Sequence, residues 1–293
     1  MASNLTTTIG SKTSNVKISR DKPTVIIGER INPTGRKKVL AALEAGDFDI
    51  VRTDALSQVE AGAQVLDVNA GVPGADEPAL LKQVLRTVMD VTDVPLCIDT
   101  ANPAALEAAL SIYDGKALVN SVNGEEKSLN AVLPLVKEYD AAVIGLCMDD
   151  DGIPATPEAR LRAAAKVIER AGSLGISPEN VVIDPLAMTM GADHAAGRIT
   201  LETIELVIKE FGVNITMGAS NISFGLPDRK FVNAAFMAMA IHAGLTCPIT
   251  NPLTPEVTIA VLGADLSMGR DEYAMNWIKA FRQRKKAAET GSK

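Results

Sequence analysis

Aspartate and asparagine stand at or just after the end of most of the short apolar runs in this 293-residue sequence. An amide side chain both donates and accepts hydrogen bonds, and an ionised carboxylate can accept from two donors of one ligand. Few lysines or arginines accompany them, so a site built from these groups would suit a neutral ligand rich in N–H groups. The polar positions are Glu29, Arg30, Asn32, Asp67, Asn69, Asp99, Asn120, Asn123, Asp149, Asp150, Asp151, Asp184, Ser220, Asn221 and Asn251.

Two other roles are open for these carboxylates. An aspartate after a strand often caps the next helix, but Asp67 and Asp99 precede their predicted helices by several residues, and Asn102 is the better cap after Asp99. Several carboxylates could also hold Mg²⁺ or Mn²⁺ through oxygen ligands. The acidic run 149–151 lies in a glycine-containing loop, which favours a solvated turn, and we predict no metal site.

Eight short apolar runs alternate along the chain with longer segments whose apolar residues recur at helical spacing. Strands that are apolar throughout, each followed by a helix, are typical of a closed parallel barrel. The sequence therefore predicts a single (β/α)₈ TIM barrel. A doubly wound open sheet is the alternative, disfavoured because no G-x-G-x-x-G follows the first run. The runs are Val25–Gly28, Val65–Val68, Leu96–Asp99, Ala117–Asn120, Ala142–Leu146, Val181–Asp184, Asn214–Gly218 and Cys247–Thr250.

Capping signals mark several of the predicted helices. A capping residue followed by proline predicts helix starts at Asn102, Thr156 and Thr254. Glycine predicts helix ends near Gly172 and Gly212.

The active site of such a barrel lies at the C-terminal ends of the strands, where the polar residues of this sequence are found. A pterin fits this set, because its 2-amino group and ring N–H groups pair with carboxylates and amides. A sugar phosphate would instead require glycine-rich backbone after strands seven and eight.

Composition and charge limit the possible partners. The formal net charge is −7, which argues against nonspecific binding to nucleic acid or to an anionic membrane surface. Residues 1–22 are polar and lack the apolar run of a signal peptide, and no stretch of about 20 apolar residues follows. We expect residues 1–22 to be a flexible segment, residues 23–293 to form the barrel with a C-terminal helix, and the protein to be cytoplasmic.

The cysteines and histidines do not form a metal-binding pattern. Cys97, Cys147 and Cys247 are far apart and each lies in an apolar run, so we predict buried thiols. His242 follows an apolar helix and is predicted to be a structural or surface residue. His194 lies in the segment Asp193–Gly197, where aspartate is adjacent to histidine, unlike the D-x-H-x-x-G motif of corrinoid-binding domains.

Six motifs resemble those of a known family in order and in barrel spacing. The sequence resembles the methyltetrahydrofolate:corrinoid protein methyltransferases from about Val25 to the C-terminal helix, and also the folate module of cobalamin-dependent methionine synthase. The motifs are Gly28–Asn32, Leu66–Asn69, Cys97–Thr100, Val119–Ser121, Ile183–Leu186 and Ser220–Ser223.

The resemblance implies roles for seven residues. Asp99, Asn120 and Asp184 would hold the pterin ring of tetrahydrofolate or 5-methyltetrahydrofolate, and Asn221 would reach N5, the atom that carries the methyl group. The pocket would be completed by Asp67, Ser220 and Arg229. The sequence departs from one branch of the family at Phe224, where the corrinoid/iron-sulfur protein enzymes have glutamine and the methionine synthase type has phenylalanine.

The resemblance also implies a reaction and its partners. The enzyme would be a methyltransferase that moves a methyl group between N5 of tetrahydrofolate and the cobalt of a corrinoid (cobalamin). The corrinoid would be supplied by a separate corrinoid protein, and the enzyme would be a homodimer. Dihydropteroate synthase shares the fold and the pterin pocket and is one alternative, but its characteristic loop motifs are missing. A non-catalytic folate-binding subunit is another, whereas an aldolase would require a Schiff-base lysine at a strand end, and no run here ends in one.

Overall fold

Eight parallel strands close into a barrel in the computed structural model, which describes residues 3–291 except the side chains of residues 287, 288, 290 and 291. Around the barrel the strand order is β10, β3, β4, β5, β6, β7, β8, β9. Two further strands, β1 and β2, form a separate hairpin. The bounds are β1 Thr7–Gly10, β2 Asn15–Ile18, β3 Ile27–Ile31, β4 Val65–Asn69, β5 Leu96–Asp99, β6 Leu118–Asn123, β7 Ala142–Leu146, β8 Val181–Asp184, β9 Asn214–Gly218 and β10 Cys247–Thr250. The predicted barrel is confirmed.

The barrel strands are apolar on both faces because one face lines the interior and the other is covered by helices. Alternate residues, among them Ile27, Val65 and Ile144, pack together in the interior. The residues between them, such as Leu66 and Val143, join the larger cluster beneath the helices.

Ten helices follow the strands in the described part of the chain, two of them between β3 and β4 and two after β10. Most present one apolar stripe to the barrel, as α3 does with Leu81, Val84, Leu85 and Val88. The bounds are α1 Lys37–Glu44, α2 Asp49–Glu60, α3 Glu77–Met89, α4 Pro103–Leu110, α5 Glu126–Glu138, α6 Pro157–Ser173, α7 Ala196–Phe211, α8 Arg229–Ala243, α9 Pro255–Ser267 and α10 Met275–Gly291. No helix in the described ranges is both long and apolar enough to cross a membrane.

The predicted helix ends are confirmed in part. Asn102 and Thr156 accept hydrogen bonds from backbone N–H groups of the first turn, whereas Thr254 precedes α9 without a side-chain capping bond. Gly212 ends α7 in the left-handed conformation. The end predicted near Gly172 is also confirmed, because α6 ends at Ser173, and the chain then turns at Gly175, with φ of 75°.

The N-terminal residues close the lower end of the barrel. Ile9 and Ile18 of the β1–β2 hairpin are fully buried against the interior cluster. Asn214, at the start of β9, donates to Thr7 Oγ1 and to the Ile18 carbonyl, each over 3.0 Å. The expectation of a flexible segment is therefore wrong for residues 7–18. The segment is mostly polar, so its sequence does not predict a hairpin, and its few apolar side chains all point into the barrel.

Candidate active site

The polar strand ends meet at the upper mouth of the barrel, as predicted. Asn69, Asp99 and Asn120 lie side by side on three neighbouring strands, since Asn69 pairs with Asp99 and Asp99 with Asn120 in the parallel register. Strand alternation places Asp67 on the same face as Asn69, one layer deeper. Carboxyl and amide groups are thus brought together in two layers on one wall of the mouth.

The deeper layer contains a buried carboxyl that is paired with an amide. Asn120 donates from Nδ2 to Oδ1 of Asp67 over 3.1 Å. Burial raises the pKa of Asp67 well above its usual range, and the neighbouring charge of Asp99 raises it further. The hydrogen bond from Asn120 acts in the opposite direction, because it stabilises the ionised form.

Asp99 is the more accessible carboxyl of this wall. Asn69 donates to Asp99 Oδ2 over 3.1 Å, and its own Oδ1 accepts from the backbone N–H of Gly71. Burial, helped by the charge of Glu77, raises the pKa of Asp99 to about 6, against the effect of the Asn69 hydrogen bond. The carboxyl of Asp99 therefore holds its proton to a higher pH than an exposed aspartate does.

Asp184 ends β8 and is almost completely buried, with 7% of its surface exposed. Its Oδ1 accepts from the backbone N–H of Leu186 over 2.7 Å, and Gly218 contributes a second backbone hydrogen bond. Burial raises the pKa of Asp184 to about 7, although both backbone bonds and the charge of Arg160 act against this rise.

The loop after β9 carries the remaining predicted residues. Ser220 lies in a 3₁₀ turn over Ala219–Ser223, and its hydroxyl is 3.3 and 3.4 Å from the two carboxyl oxygens of Glu29. Arg229 donates to the Ser220 carbonyl over 2.7 Å. The Arg229 guanidinium also lies over the exposed ring of Phe224, 5.7 Å from its centroid. Glu29, Ser220 and Arg229 are thus linked by hydrogen bonds at the mouth.

Asn221 is exposed at the mouth, and its side chain forms no hydrogen bond within the described part of the chain. A Cβ atom on residue 218 would lie 3.0 Å from Asn221 Nδ2, so Gly218 gives the amide the space it occupies. The amide is free to bind a ligand.

Two residues of the mouth are missing from the predicted site, although both belong to the polar ring. Glu29 contacts Ser220, and burial raises the pKa of Glu29. Asn69 holds Asp99. Strand alternation is the signal that identifies them, because Glu29 follows the interior Ile27 by two residues and Asn69 follows Asp67 by two.

The acidic loop and the histidines lie apart from these contacts. Asp149 and Gly152 exchange backbone hydrogen bonds in a tight turn, and Asp150 pairs with Lys166. Among residues 3–291, no group of three or more metal-binding side chains is found. His194 and His242 are exposed, and all three cysteines are buried, as predicted.

Fold and site together define a class of protein, a barrel whose mouth is lined by buried carboxyls and amides, the groups that suit a flat, nitrogen-rich ring. Residues 28–251 match the family model described as pterin binding enzyme, and this chain belongs to that family.

Two relatives indicate branches of this family. The chain is 32% identical over 269 residues to the methylcorrinoid:tetrahydrofolate methyltransferase of Eubacterium limosum, and the matched region covers 89% of this chain and 97% of that enzyme. It is 30% identical over 257 residues to the methionine synthase of Mycobacterium tuberculosis, and here the matched region covers 83% of this chain and 22% of that protein. The chain thus matches nearly all of the first relative and about a fifth of the second.

Solved structures of the same fold include two dihydropteroate synthases. The Xanthomonas albilineans enzyme in complex with 7,8-dihydropteroate gives a TM-score of 0.66 at 21% identity, over 86% of this chain and 96% of that one. The Yersinia pestis enzyme with a pterine-sulfa conjugate gives 0.65 at 17% identity, over 87% and 96%. At these identities the likeness shows the fold alone.

Proposed function

We propose that this protein transfers a methyl group between N5 of tetrahydrofolate and the cobalt of a corrinoid carried by a separate protein. The observation that carries the proposal is the match to nearly the full length of the Eubacterium limosum methyltransferase. The wall of paired carboxyls and amides at the mouth supports it, since this chemistry suits a pterin ring.

Three residues would bind the pterin ring. Asp184 would accept hydrogen bonds from two ring donors once it is ionised, and Asp99 would accept from a further donor. Asn120 uses its N–H₂ group on Asp67, which leaves its Oδ1 as an acceptor for a ring N–H. The orientation of the Asn120 amide thus favours a ligand that presents donors to this wall.

Asn221 would contact the reacting nitrogen. The N5–methyl bond breaks with its electron pair remaining on N5, so a group that donates a hydrogen bond to N5 stabilises the transition state. The amide of Asn221 can donate or accept without ionising, so it serves transfer in both directions. The partner's corrinoid supplies the cobalt centre that takes up or returns the methyl group.

The remaining predicted residues would hold the loop that carries Asn221. Arg229 donates to the Ser220 carbonyl, and the Ser220 hydroxyl contacts Glu29 of β3. These two contacts would hold the loop against β3. Asp67 would act from the deeper layer by holding Asn120. None of the three predicted residues, Asp67, Ser220 and Arg229, need touch the methyl group.

We propose that the corrinoid is bound by the partner alone. The one Asp-His pair of this chain is exposed in the turn before α7, and the order Asp193-His194 leaves no spacing between the two residues. The mouth would remain accessible to the partner.

Two further proposals concern the state of the protein in the cell. The resemblance favours a homodimer, and apolar side chains exposed on α9 and α10, including Ile259, Ile278 and Phe281, offer a surface that a second copy could cover. Three free, buried thiols are compatible with a reducing cytoplasm. Sedimentation equilibrium of the purified protein tests the dimer.

Methyl exchange tests the proposed reaction. Purified protein is mixed with 5-methyltetrahydrofolate labelled in the methyl group and with free reduced cobalamin, and labelled methylcobalamin is measured. We expect transfer that depends on the protein. Folate binding without transfer, even with a corrinoid protein present, would indicate a folate-binding subunit. Formation of dihydropteroate from a dihydropterin pyrophosphate and 4-aminobenzoate would indicate the dihydropteroate synthase alternative.

A further inference from the structure

A buried arginine lies beneath the loop that follows Asp184. Arg160, in the first turns of α6, is 3% exposed. Its Nη1 donates to the carbonyls of Pro185 and Leu186, each over 2.8 Å, and its Nε donates to the carbonyl of Pro154 over 2.9 Å. One guanidinium thus connects the loops after β7 and β8.

The contacts of Arg160 differ from those of an ordinary buried ion pair. The guanidinium forms no ion pair with a carboxylate of residues 3–291, and its donors point at backbone oxygens. Burying a charge is costly unless fixed dipoles compensate it. Here three backbone carbonyls supply these dipoles, so the guanidinium and the two loops hold one another in place.

The loop held by Arg160 has an unfavourable backbone conformation. Leu186 has φ of 63°, in the left-handed region that side chains other than glycine and asparagine rarely adopt. In this conformation the Leu186 N–H points back to Asp184 Oδ1, 2.7 Å away. The Arg160 bonds to the carbonyls of residues 185 and 186 compensate the cost of the turn.

We propose that Arg160 is a positioning residue that fixes the 185–186 backbone and thereby directs the Asp184 carboxyl to the ligand. The inference rests on the proposed pterin-binding role of Asp184. Arg160 also acts through its charge, because it opposes the effect of burial on the pKa of Asp184. Geometry and charge are two separable parts of this role.

Two substitutions separate these parts. Arg160→Lys keeps the positive charge, but a single ammonium group cannot reach three carbonyls that the fork now binds. Arg160→Gln is neutral and can still donate to one or two carbonyls. Arg162→Gln is the matched control, because Arg162 lies two residues further along the same helix and is exposed.

Folate affinity measured against pH is the first measurement. We expect both Arg160 variants to bind tetrahydrofolate about 10-fold more weakly at pH 8, the order expected for lost charged hydrogen bonds. In Arg160→Gln, the pH below which affinity declines should move upward, because Asp184 loses a favourable charge and holds its proton to higher pH. In Arg160→Lys this midpoint should stay near that of the native protein.

Hydrogen exchange of the backbone N–H groups of residues 186–191 is the second measurement and needs no ligand. We expect faster exchange there in both Arg160 variants and none of this change in Arg162→Gln. Unchanged exchange together with an unchanged pH midpoint would overturn the inference. If the native protein fails to bind folate, the proposed function fails, while the exchange data still decide whether Arg160 fixes the loop.

Discussion

Asn120 donates a hydrogen bond to Asp67 over 3.1 Å, although their strands, β6 and β4, are separated by β5. The two side chains meet in the barrel interior beneath Asp99. Because Asn120 turns its N–H₂ group to Asp67 and uses one N–H there, the amide oxygen on its other side remains for the ligand. The pair sets the orientation of one of the proposed pterin contacts before the ligand arrives.

Replacement of the amide in this pair by a carboxyl tests its importance. Asn120→Asp places a second acid 3.1 Å from the buried Asp67, and two ionised carboxyls at this distance repel each other. We expect the free energy of unfolding to fall by about 2 to 4 kcal/mol at pH 8, and by less at pH 5, where one acid can hold a proton. Urea denaturation at both pH values measures this.

The same substitution elsewhere in β6 is the control. Asn123→Asp should cost little, because Asn123 accepts from the Glu125 N–H through an oxygen that aspartate also provides. Equal losses in the two variants, or a loss that does not depend on pH, would contradict the role of the Asp67–Asn120 pair.

Loss of the Asp184 carboxyl should weaken folate binding strongly. Each charged hydrogen bond contributes about 1.5 to 3 kcal/mol, and Asp184 would accept two from the pterin. Asp184→Ala should therefore reduce tetrahydrofolate affinity at least ~30-fold by titration calorimetry. Asp151→Ala, at an exposed carboxyl of the loop after β7, should leave affinity unchanged. Unaltered affinity in Asp184→Ala would mean that the pterin binds elsewhere.

Folate binding should depend on pH through two aspartates. Their pKa values are about 6 for Asp99 and about 7 for Asp184, above the ordinary value of about 4. Below pH 7 the free protein holds protons that must leave before the carboxylates accept pterin donors. We expect affinity to fall about tenfold per pH unit below pH 7, and more steeply below pH 6, by titration calorimetry.

The stability of the free protein should change in the opposite direction. Because the raised pKa values of Asp99 and Asp184 belong to the folded state, the folded chain binds more protons than the unfolded chain from about pH 4 to pH 7. The free energy of unfolding without ligand should therefore decrease as pH rises through 6 and 7. Thermal unfolding with and without folate checks both trends, and Asp184→Asn should flatten them.

Most of the fold follows from local sequence patterns. The eight apolar runs became the eight barrel strands in order, because each strand is buried on both faces and shows this directly in its residues. The β1–β2 hairpin was missed because its stability depends on contacts with Asn214 and the interior cluster, far away in the sequence. The first barrel strand extends to Ile31 through two charged residues, which apolar runs cannot reveal.

The site was predictable to the extent that it lies on strands. Register and alternation place Asp67, Asp99 and Asn120 on one wall, and both rules can be applied to a sequence. The contacts of Arg160 with residues 185 and 186 could not be predicted, because they depend on how two irregular loops fold. The 3₁₀ turn that exposes Asn221 could not be predicted either, because it also belongs to an irregular loop.

Asn221 is the residue whose loss should affect the reaction more than binding. Its exposed amide forms no hydrogen bond within the described residues, so its removal leaves no protein group without a partner. Three proposed ring contacts, Asp99, Asn120 and Asp184, remain to hold the pterin. An amide that meets N5 chiefly as the methyl group leaves would stabilise the transition state more than the bound substrate.

Asn221→Ala should therefore lower kcat about 100-fold, the order seen when one transition-state hydrogen bond is lost, with a small change in folate affinity. A catalyst does not change the overall equilibrium, so the loss of efficiency must balance between the two directions. Single-turnover rates from methyltetrahydrofolate to reduced cobalamin and from methylcobalamin to tetrahydrofolate, measured beside a folate titration, decide this. Ser223→Ala is the control, because it removes the hydroxyl that accepts from Arg229 in the same turn and so shows how far damage to the loop alone lowers the rate. A variant that binds folate poorly but transfers methyl normally at saturation would make Asn221 a binding residue, because its hydrogen bond would then be as strong in the ground state as in the transition state.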